Sequence, residues 1–89
     1  MKIKEGFKLR TVGTEYIVAG EGLQQINFNK LISLNSSAAY LWQEIENIDF
    51  DETLLADLLV KKYTIDADKA LADASGIIQD WIEAGIIEV

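Results

Sequence analysis

Apolar and polar residues alternate in the first part of the chain, and this period of two predicts short β-strands. Phe7 and Leu9 alternate with charged neighbours, and the apolar run 16–19 comes after the pair Gly13-Thr14. Glycine at the first position of a two-residue loop favours a type II′ hairpin between these two strands.

The following stretch predicts a loop and then more strand. Residues 19–22, Ala-Gly-Glu-Gly, indicate a flexible loop. After the loop, apolar residues keep the strand alternation at Ile26, Phe28, Ile32 and Leu34. Lys30 interrupts that alternation, so one bent strand or two short strands turning at Asn29-Lys30 would both explain the pattern.

Beyond residue 36 the apolar spacing changes to steps of three and four, which is the period of an α-helix. The apolar residues on one face of this first helix are Ala38, Leu41, Trp42, Ile45 and Ile48. Either Asn35 or Ser36 is placed to cap the helix, because both side chains can accept from the amides of the first turn. Ser36 and Ser37 are therefore interpreted as residues of the helix cap.

Two further helices are predicted. Asp51 would cap the second, which extends to about Tyr63, and Asp66 would cap the third. The second is expected to bury Leu55, Leu58 and Leu59, with Leu54 and Tyr63 alongside. The apolar stripe of the third comprises Ala67, Ala70, Leu71, Ala74, Ile77, Ile78, Trp81 and Ile82. Gly85 is a typical helix stop, and residues 86–89 would form a short closing strand.

These elements predict one α+β domain over residues 1–89 with a winged helix-turn-helix-like fold. N-terminal antiparallel β-strands precede three α-helices and a short C-terminal strand. The two tryptophans, Trp42 and Trp81, are interpreted as core residues whose indole N–H groups need acceptors if they are buried.

The composition argues against an enzyme and against a metal protein. The chain has no cysteine and no histidine, which removes the usual zinc, copper and iron ligands and the side chain best suited to proton transfer near neutral pH. We therefore expect no catalytic residue, no metal and no cofactor. No apolar stretch has the length of a signal peptide core or a membrane span, so we expect a cytoplasmic chain without membrane contact.

The net charge of -7 disfavours nucleic acid as a partner, because it repels phosphate backbones. Residues 1–30 carry a net charge of +2 and residues 31–89 carry -9. The helix that would read DNA in a winged helix, residues 66–84, has five acidic residues and only Lys69 as a base. A recognition helix needs basic or amide side chains at its contact positions.

A small sheet has two edge strands, and an open edge can pair with an incoming peptide. Composition alone leaves two interpretations equally open. Either an edge binds a peptide, or charged residues such as Lys8, Arg10 and Lys30 protect the edges from pairing.

Several short motifs together resemble the PqqD-like family, whose members are also called precursor-peptide recognition elements. The motifs are Leu34-Asn35, Ser37-Ala38, Leu41-Trp42, the helix 54–59, the turn Tyr63/Ile65-Asp66, and Trp81-Ile82 with Gly85-Ile86. The resemblance covers about residues 7–88. The stretch 19–30 departs from proteins of quinone-cofactor pathways, so the resemblance fits a member that serves another modified peptide.

The resemblance implies a non-catalytic chaperone that binds the leader segment of a ribosomally made precursor peptide. Such a chaperone presents the leader to a modifying enzyme, often a radical S-adenosylmethionine (SAM) enzyme. In the family the leader adds as a strand and lies against the third helix. Carried to this chain, the peptide-binding residues would be Leu31, Ile32, Ser33, Leu34, Leu71, Ala74, Ser75 and Ile78.

Two other functions stay open at this point. One is a winged-helix transcriptional regulator that binds DNA as a homodimer, with Lys2, Lys4, Lys8 and Arg10 gathered on one surface. The other is a purely structural subunit. The sequence does not identify the client peptide or the partner enzyme.

Overall fold

A computed structural model describes residues 1–20 and 31–89. In chain order the elements are β1 (Lys2–Ile3), β2 (Phe7–Val12), β3 (Glu15–Gly20), β4 (Leu31–Leu34), α1 (Ser36–Ile45), α2 (Glu52–Tyr63), α3 (Ala67–Ala84) and β5 (Ile87–Glu88). This order confirms the predicted α+β architecture, although β1 was not predicted. The interpretations of Ile26, Phe28 and the Asn29-Lys30 turn lie outside the described residues.

Strands β2, β3 and β4 form an antiparallel sheet in that order. Gly13 has a φ of 63°, whereas Thr14 does not have a positive φ. A positive φ at the first loop position alone is the pattern of the predicted type II′ turn. Of the loop expected at 19–22, Ala19 and Gly20 instead belong to β3 and pair with β2, and residues 21 and 22 lie outside the described residues.

Each of the three helices begins at a capping side chain. Asn35, Asp51 and Asp66 each accept a hydrogen bond of 2.8 Å from the backbone N–H three residues later. Asn35, and not Ser36, is therefore the cap of α1. Such a bond satisfies one of the amides that a helix leaves unpaired in its first turn.

The ends of α2 and α3 both use a left-handed residue. Thr64 follows α2 with a φ of 54°, and Gly85 follows α3 with a φ of 73°. The N–H of Gly85 donates to the carbonyl of Ile82, and the N–H of Ile86 donates to the carbonyl of Trp81. This pair of bonds is a Schellman motif, and it delivers the buried Ile86 into the core.

The core lies between the sheet and the three helices and is centred on two tryptophans. The rings of Trp42 and Trp81 meet edge to face, with centroids 5.5 Å apart, and both side chains are buried. Val18 brings the sheet to this core, and Leu41 and Leu55 bring α1 and α2. Within the described residues the Trp42 indole N–H has no hydrogen-bond acceptor, contrary to the expectation from sequence.

The edges of the predicted apolar stripes differ from expectation. Ile48 is 43% exposed, because α1 ends at Ile45 and Asn47 takes a φ of 66°, which breaks the helical period. On α3, Leu71 and Ile82 are 44% and 38% exposed. The stripe is wider than the face that α3 packs against the core.

The two ends of the chain lie together. Strands β1 and β5 pair antiparallel, with Lys2 opposite Glu88 and Ile3 opposite Ile87. The terminal ammonium of Met1 donates to the carbonyl of Phe50 at 2.8 Å. This ribbon therefore connects both ends of the chain to the segment between α1 and α2.

Candidate functional site

Strand β4 is an edge strand of the sheet. One side pairs with β3, from Leu31 opposite Ala19 to Leu34 opposite Tyr16. In residues 1–20 and 31–89 no strand pairs with its other side. Among the described residues, the backbone groups on that side therefore have no strand partner, and an edge of this kind can pair with another chain.

The side chains of β4 divide between the two faces of the sheet. Ile32 and Leu34 are half-buried against the core, while Leu31 is 63% exposed and Ser33 is also exposed. None of the four carries a charge. Of the charged residues expected to protect the edges, Lys8 and Arg10 belong to β2, the opposite edge, and Lys30 lies outside the described residues.

A groove of about 570 Å³ begins where β4 ends. Its walls come from the start of α1, the end of α2 and one flank of α3. The lining residues are Asn35, Ser36, Ser37, Leu59, Tyr63, Ile65, Ala72, Asp73, Gly76, Ile77 and Asp80. The lining combines apolar side chains with two carboxylates and the polar cap of α1. A groove of mixed lining beside an open strand edge suits a peptide better than a compact small molecule.

Among the described residues that line the groove, both charged ones are acidic. Asp73 and Asp80 project from α3 on the same side, two turns apart. Lys69 reaches Asp73 from outside the lining, with Nζ 3.6 Å from Oδ2, and both side chains are largely exposed. An exposed pair of this kind is weak, so the groove keeps its acidic character.

Tyr63 forms the wall of the groove at the end of α2, and Tyr40 of α1 packs against it. Tyr63 is 40% exposed in the groove, and the ring of Tyr40 meets it edge to face at 6.3 Å. The ammonium of Lys62 lies 5.1 Å from the Tyr40 ring centroid. Burial, and then the carboxylate of Glu44, raise the pKa of Tyr40 above its ordinary value, so its hydroxyl stays neutral at physiological pH.

The four residues predicted on α3 do not line this groove. Ala74 and Ile78 are buried in the core, and Leu71 and Ser75 are exposed on the other flank of the helix. The link between β4 and the groove is Asn35, which lines the groove and directly follows Leu34, the last residue of β4. A contact between a client and the Leu71 flank stays a prediction.

Sequence reasoning missed the residues of α3 that do line the groove. Asp73, Gly76 and Asp80 recur at steps of three and four, which places them along one side of the helix. A glycine inside a long helical pattern was the available signal. The apolar stripe drew attention to the other flank of α3, which carries Leu71 and Ser75.

The described residues offer no grouping of histidine, cysteine or carboxylate side chains that would hold a metal ion. The Ser37 hydroxyl donates to the Asn35 side chain at 3.1 Å and so takes part in the helix cap. No helix of the described chain has both the length and the apolarity needed to cross a bilayer.

A second recess, of about 490 Å³, lies on a different part of the molecule. It is lined by Lys2, Ile3, Lys4, Glu5, Gly6, Phe7, Lys8, Glu46, Asn47 and Ile48. Three lysines against two glutamates make this recess basic. The acidic groove and this basic recess are therefore built from different elements.

The fold has a counterpart among solved structures. The structure of TbiB1 in complex with the TbiA(beta) leader peptide superposes with a TM-score of 0.75 at 16% sequence identity, covering 99% of this chain and 95% of that chain. At this identity the likeness concerns the fold. No curated protein sequence matches the chain.

The sequence itself matches one protein-family model. The match extends over residues 11–87, which includes β3, β4 and all three helices. The matching family is described as coenzyme PQQ synthesis protein D. The resemblance inferred from the Leu34-Asn35 junction is confirmed: the chain belongs to the PqqD family.

Proposed function

We propose that this protein binds the leader segment of a ribosomally made precursor peptide by strand addition and presents it to a modifying enzyme. The observation that carries the proposal is the open side of β4, which ends at the groove. Backbone hydrogen bonds along Leu31 to Leu34 would supply affinity, and the groove would select side chains. The protein itself has no catalytic role in this proposal.

Membership of the PqqD family supports a peptide client, and so does the leader peptide held by the similar fold of TbiB1. The modifying enzyme in the proposal is of the radical SAM type. The finer site includes the eight residues predicted from sequence: Leu31, Ile32, Ser33, Leu34, Leu71, Ala74, Ser75 and Ile78. Of these, Ala74 and Ile78 are buried, so they would act by holding α3, which forms one wall of the groove, against the core.

Titration of synthetic leader peptides into ¹⁵N-labelled protein tests the proposal. The probes are the leader segments of short open reading frames encoded next to this gene. We expect amide shifts along residues 31–34 and along α3, and no shifts along β2, which is the matched control edge. The absence of shifts at β4 with every neighbouring leader peptide would refute strand addition here.

The same spectra distinguish the two flanks of α3. Shifts at Leu71 and Ser75 would support the flank predicted from sequence, and shifts at Ala72 and Gly76 would support the groove.

A separate experiment tests the enzyme partner. A pull-down with the radical SAM enzyme encoded nearby should retain the protein. If the protein binds the leader but is not retained by the enzyme, its function is limited to peptide binding.

A further inference from the structure

Gly76 occupies an unusual place in α3. It lies near the middle of an 18-residue helix, where glycine is the poorest helix former except for proline. It does not have the positive φ that would require glycine. Apart from its chain neighbours and the backbone of its own helix, a Cβ built at Gly76 would meet no described atom within 4 Å, so close packing does not require glycine either.

What the missing side chain does leave is a bare stretch of helix inside the groove. Gly76 is one of the groove-lining residues, and Ala72, one turn before it, is small as well. A bare helix surface allows another backbone to approach closely, which is a recognised use of glycine. The space beside Gly76 therefore leaves room for an extended peptide backbone.

Charge and chemistry around Gly76 indicate which peptide would fit. Asp73 and Asp80 lie on either side of it along the helix, and none of the lining residues in 1–20 and 31–89 is basic. Leu59, Ile65 and Ile77 give the groove apolar surface. An acidic groove with an apolar surface complements a segment in which a basic residue adjoins an apolar one.

The aromatic wall favours the same ligand. Tyr63 presents 40% of its surface, and its ring is fixed by the edge-to-face contact with Tyr40. A lysine or arginine side chain that enters the groove would be attracted both by the carboxylates and by the face of this ring.

We infer that the groove receives a client segment in which a lysine or arginine adjoins an apolar residue, and that its backbone crosses α3 over Gly76. This inference rests on the proposed peptide-binding function. The occupant is part of the client peptide that pairs with β4, since the groove begins at Asn35, next to the last residue of β4.

The test starts from a library of random 12-residue peptides, selected for binding to the intact protein. We expect the selected peptides to be enriched in lysine or arginine next to an apolar residue. The double variant Asp73→Asn, Asp80→Asn keeps the side-chain shapes without the charges. We expect it to bind a selected peptide at least 10-fold more weakly, and salt to weaken binding to the unchanged protein more than to the variant.

Gly76→Ala gives the sharpest readout because stability and binding should move in opposite directions. The new methyl group meets no described atom and improves helix propensity, so the melting temperature should rise. The methyl group also occupies the space of the peptide backbone, so affinity should fall at least 10-fold. Gln79→Ala is the matched control, because Gln79 is exposed on the same helix and does not line the groove; it should leave affinity unchanged.

The outcomes separate this inference from the proposed function. If selected peptides shift the amides of β4 but lack basic residues, or bind Gly76→Ala and the double variant with unchanged affinity, the groove inference is wrong and strand addition stands. If neither the library nor the leader peptides shift β4, strand addition is wrong, and the groove inference fails with it.

Discussion

Asn35 joins the two parts of the candidate site. Its side-chain oxygen accepts from the N–H of Ala38 at 2.8 Å and from the hydroxyl of Ser37 at 3.1 Å. The same residue follows β4 and lines the groove. The hydrogen bonds therefore fix the start of α1 and the mouth of the groove together.

We expect Asn35→Ala to lower the free energy of unfolding by about 1 kcal/mol, the usual effect of removing a capping side chain. Urea unfolding followed by tryptophan fluorescence measures this change. Ser36→Ala is the control and should change stability little, because Ser36 is the first helical residue and not the cap. Equal losses in both variants would contradict the assignment of Asn35 as the cap.

Thr64 is the second residue with a clear energetic role. A threonine rarely adopts a positive φ, because its branched side chain is crowded in the left-handed region. Its N–H still donates to the carbonyl of Val60 at 3.1 Å, but its φ of 54° ends α2 before Ile65, which lines the groove. The position of Ile65 thus depends on a strained residue.

Thr64→Asn should stabilise the protein, by about 1 kcal/mol, because asparagine tolerates the left-handed region better than threonine. Thermal unfolding measured by circular dichroism would show a higher midpoint. Thr11→Asn is the matched control, and in strand β2 the same change should lower the midpoint, since asparagine is a poor strand former. A lower midpoint for Thr64→Asn would mean that the threonine side chain makes a stabilising contact.

The helix caps and the buried core residues were predictable because their signals are local. Capping needs only the chemistry of one side chain and its position before a periodic stretch, as at Asp51 and Asp66. The exposure of Leu71 was not predictable. Periodicity places a residue on a helical face, but what packs on the margin of that face depends on the tertiary structure.

Among the elements, β4 carries the proposed function. Successive N–H groups of an antiparallel strand point to opposite sides, so in β4 they alternate between β3 and the open side. Of the neighbours Ile32 and Ser33, one therefore donates into the sheet and the other donates outward. The two positions should respond differently to the loss of an N–H.

Proline has no N–H to donate, so Ile32→Pro and Ser33→Pro separate the two roles. We expect the variant at the outward position to keep its thermal midpoint closer to that of the unchanged protein and to lose leader binding. The variant at the inward position should lose stability. Calorimetry with the leader peptide and a melting curve for each variant measure both effects, and full binding by both variants would assign the client to another edge.

The strand edge was predictable from sequence, whereas the groove was not. The alternation that includes Ile32 and Leu34 predicts a strand, and a sheet of about three strands must have edges. The family resemblance implied that residues 31–34 form the edge that pairs with a peptide. The groove combines residues from three helices, Ser37, Tyr63 and Gly76 among them, which are far apart in sequence. Only the packing of α2 and α3 brings these residues together.

At the scale of the whole molecule, charge is divided between the two parts of the chain. The basic recess formed by Lys2, Lys4 and Lys8 contrasts with the acidic groove beside α3. The net charge of -7 is concentrated in residues 31–89. A cationic client would be attracted to the groove, and a polyanion would be repelled by α3.

Duplex DNA should therefore bind more weakly than the nonspecific Kd of about 10⁻⁴ to 10⁻⁶ M that DNA-binding proteins show at physiological salt. Fluorescence anisotropy with a labelled duplex measures this. The variant Asp68→Lys, Glu83→Lys removes the net negative charge of α3. It should bind DNA more tightly, because α3 would no longer repel the phosphates. Salt-sensitive, tight binding by the unchanged protein would favour the transcriptional regulator.

The pairing of β1 with β5 has a consequence for how the chain can be rewired. Opposing residues in an antiparallel ladder have Cα atoms about 5 Å apart, so a short glycine-serine bridge could splice Val89 to Met1. New ends could then be opened at the Gly13-Thr14 hairpin. Such a circular permutant would leave β4 and the groove intact. An enzyme fused to one of its ends would then be joined at the hairpin between β2 and β3.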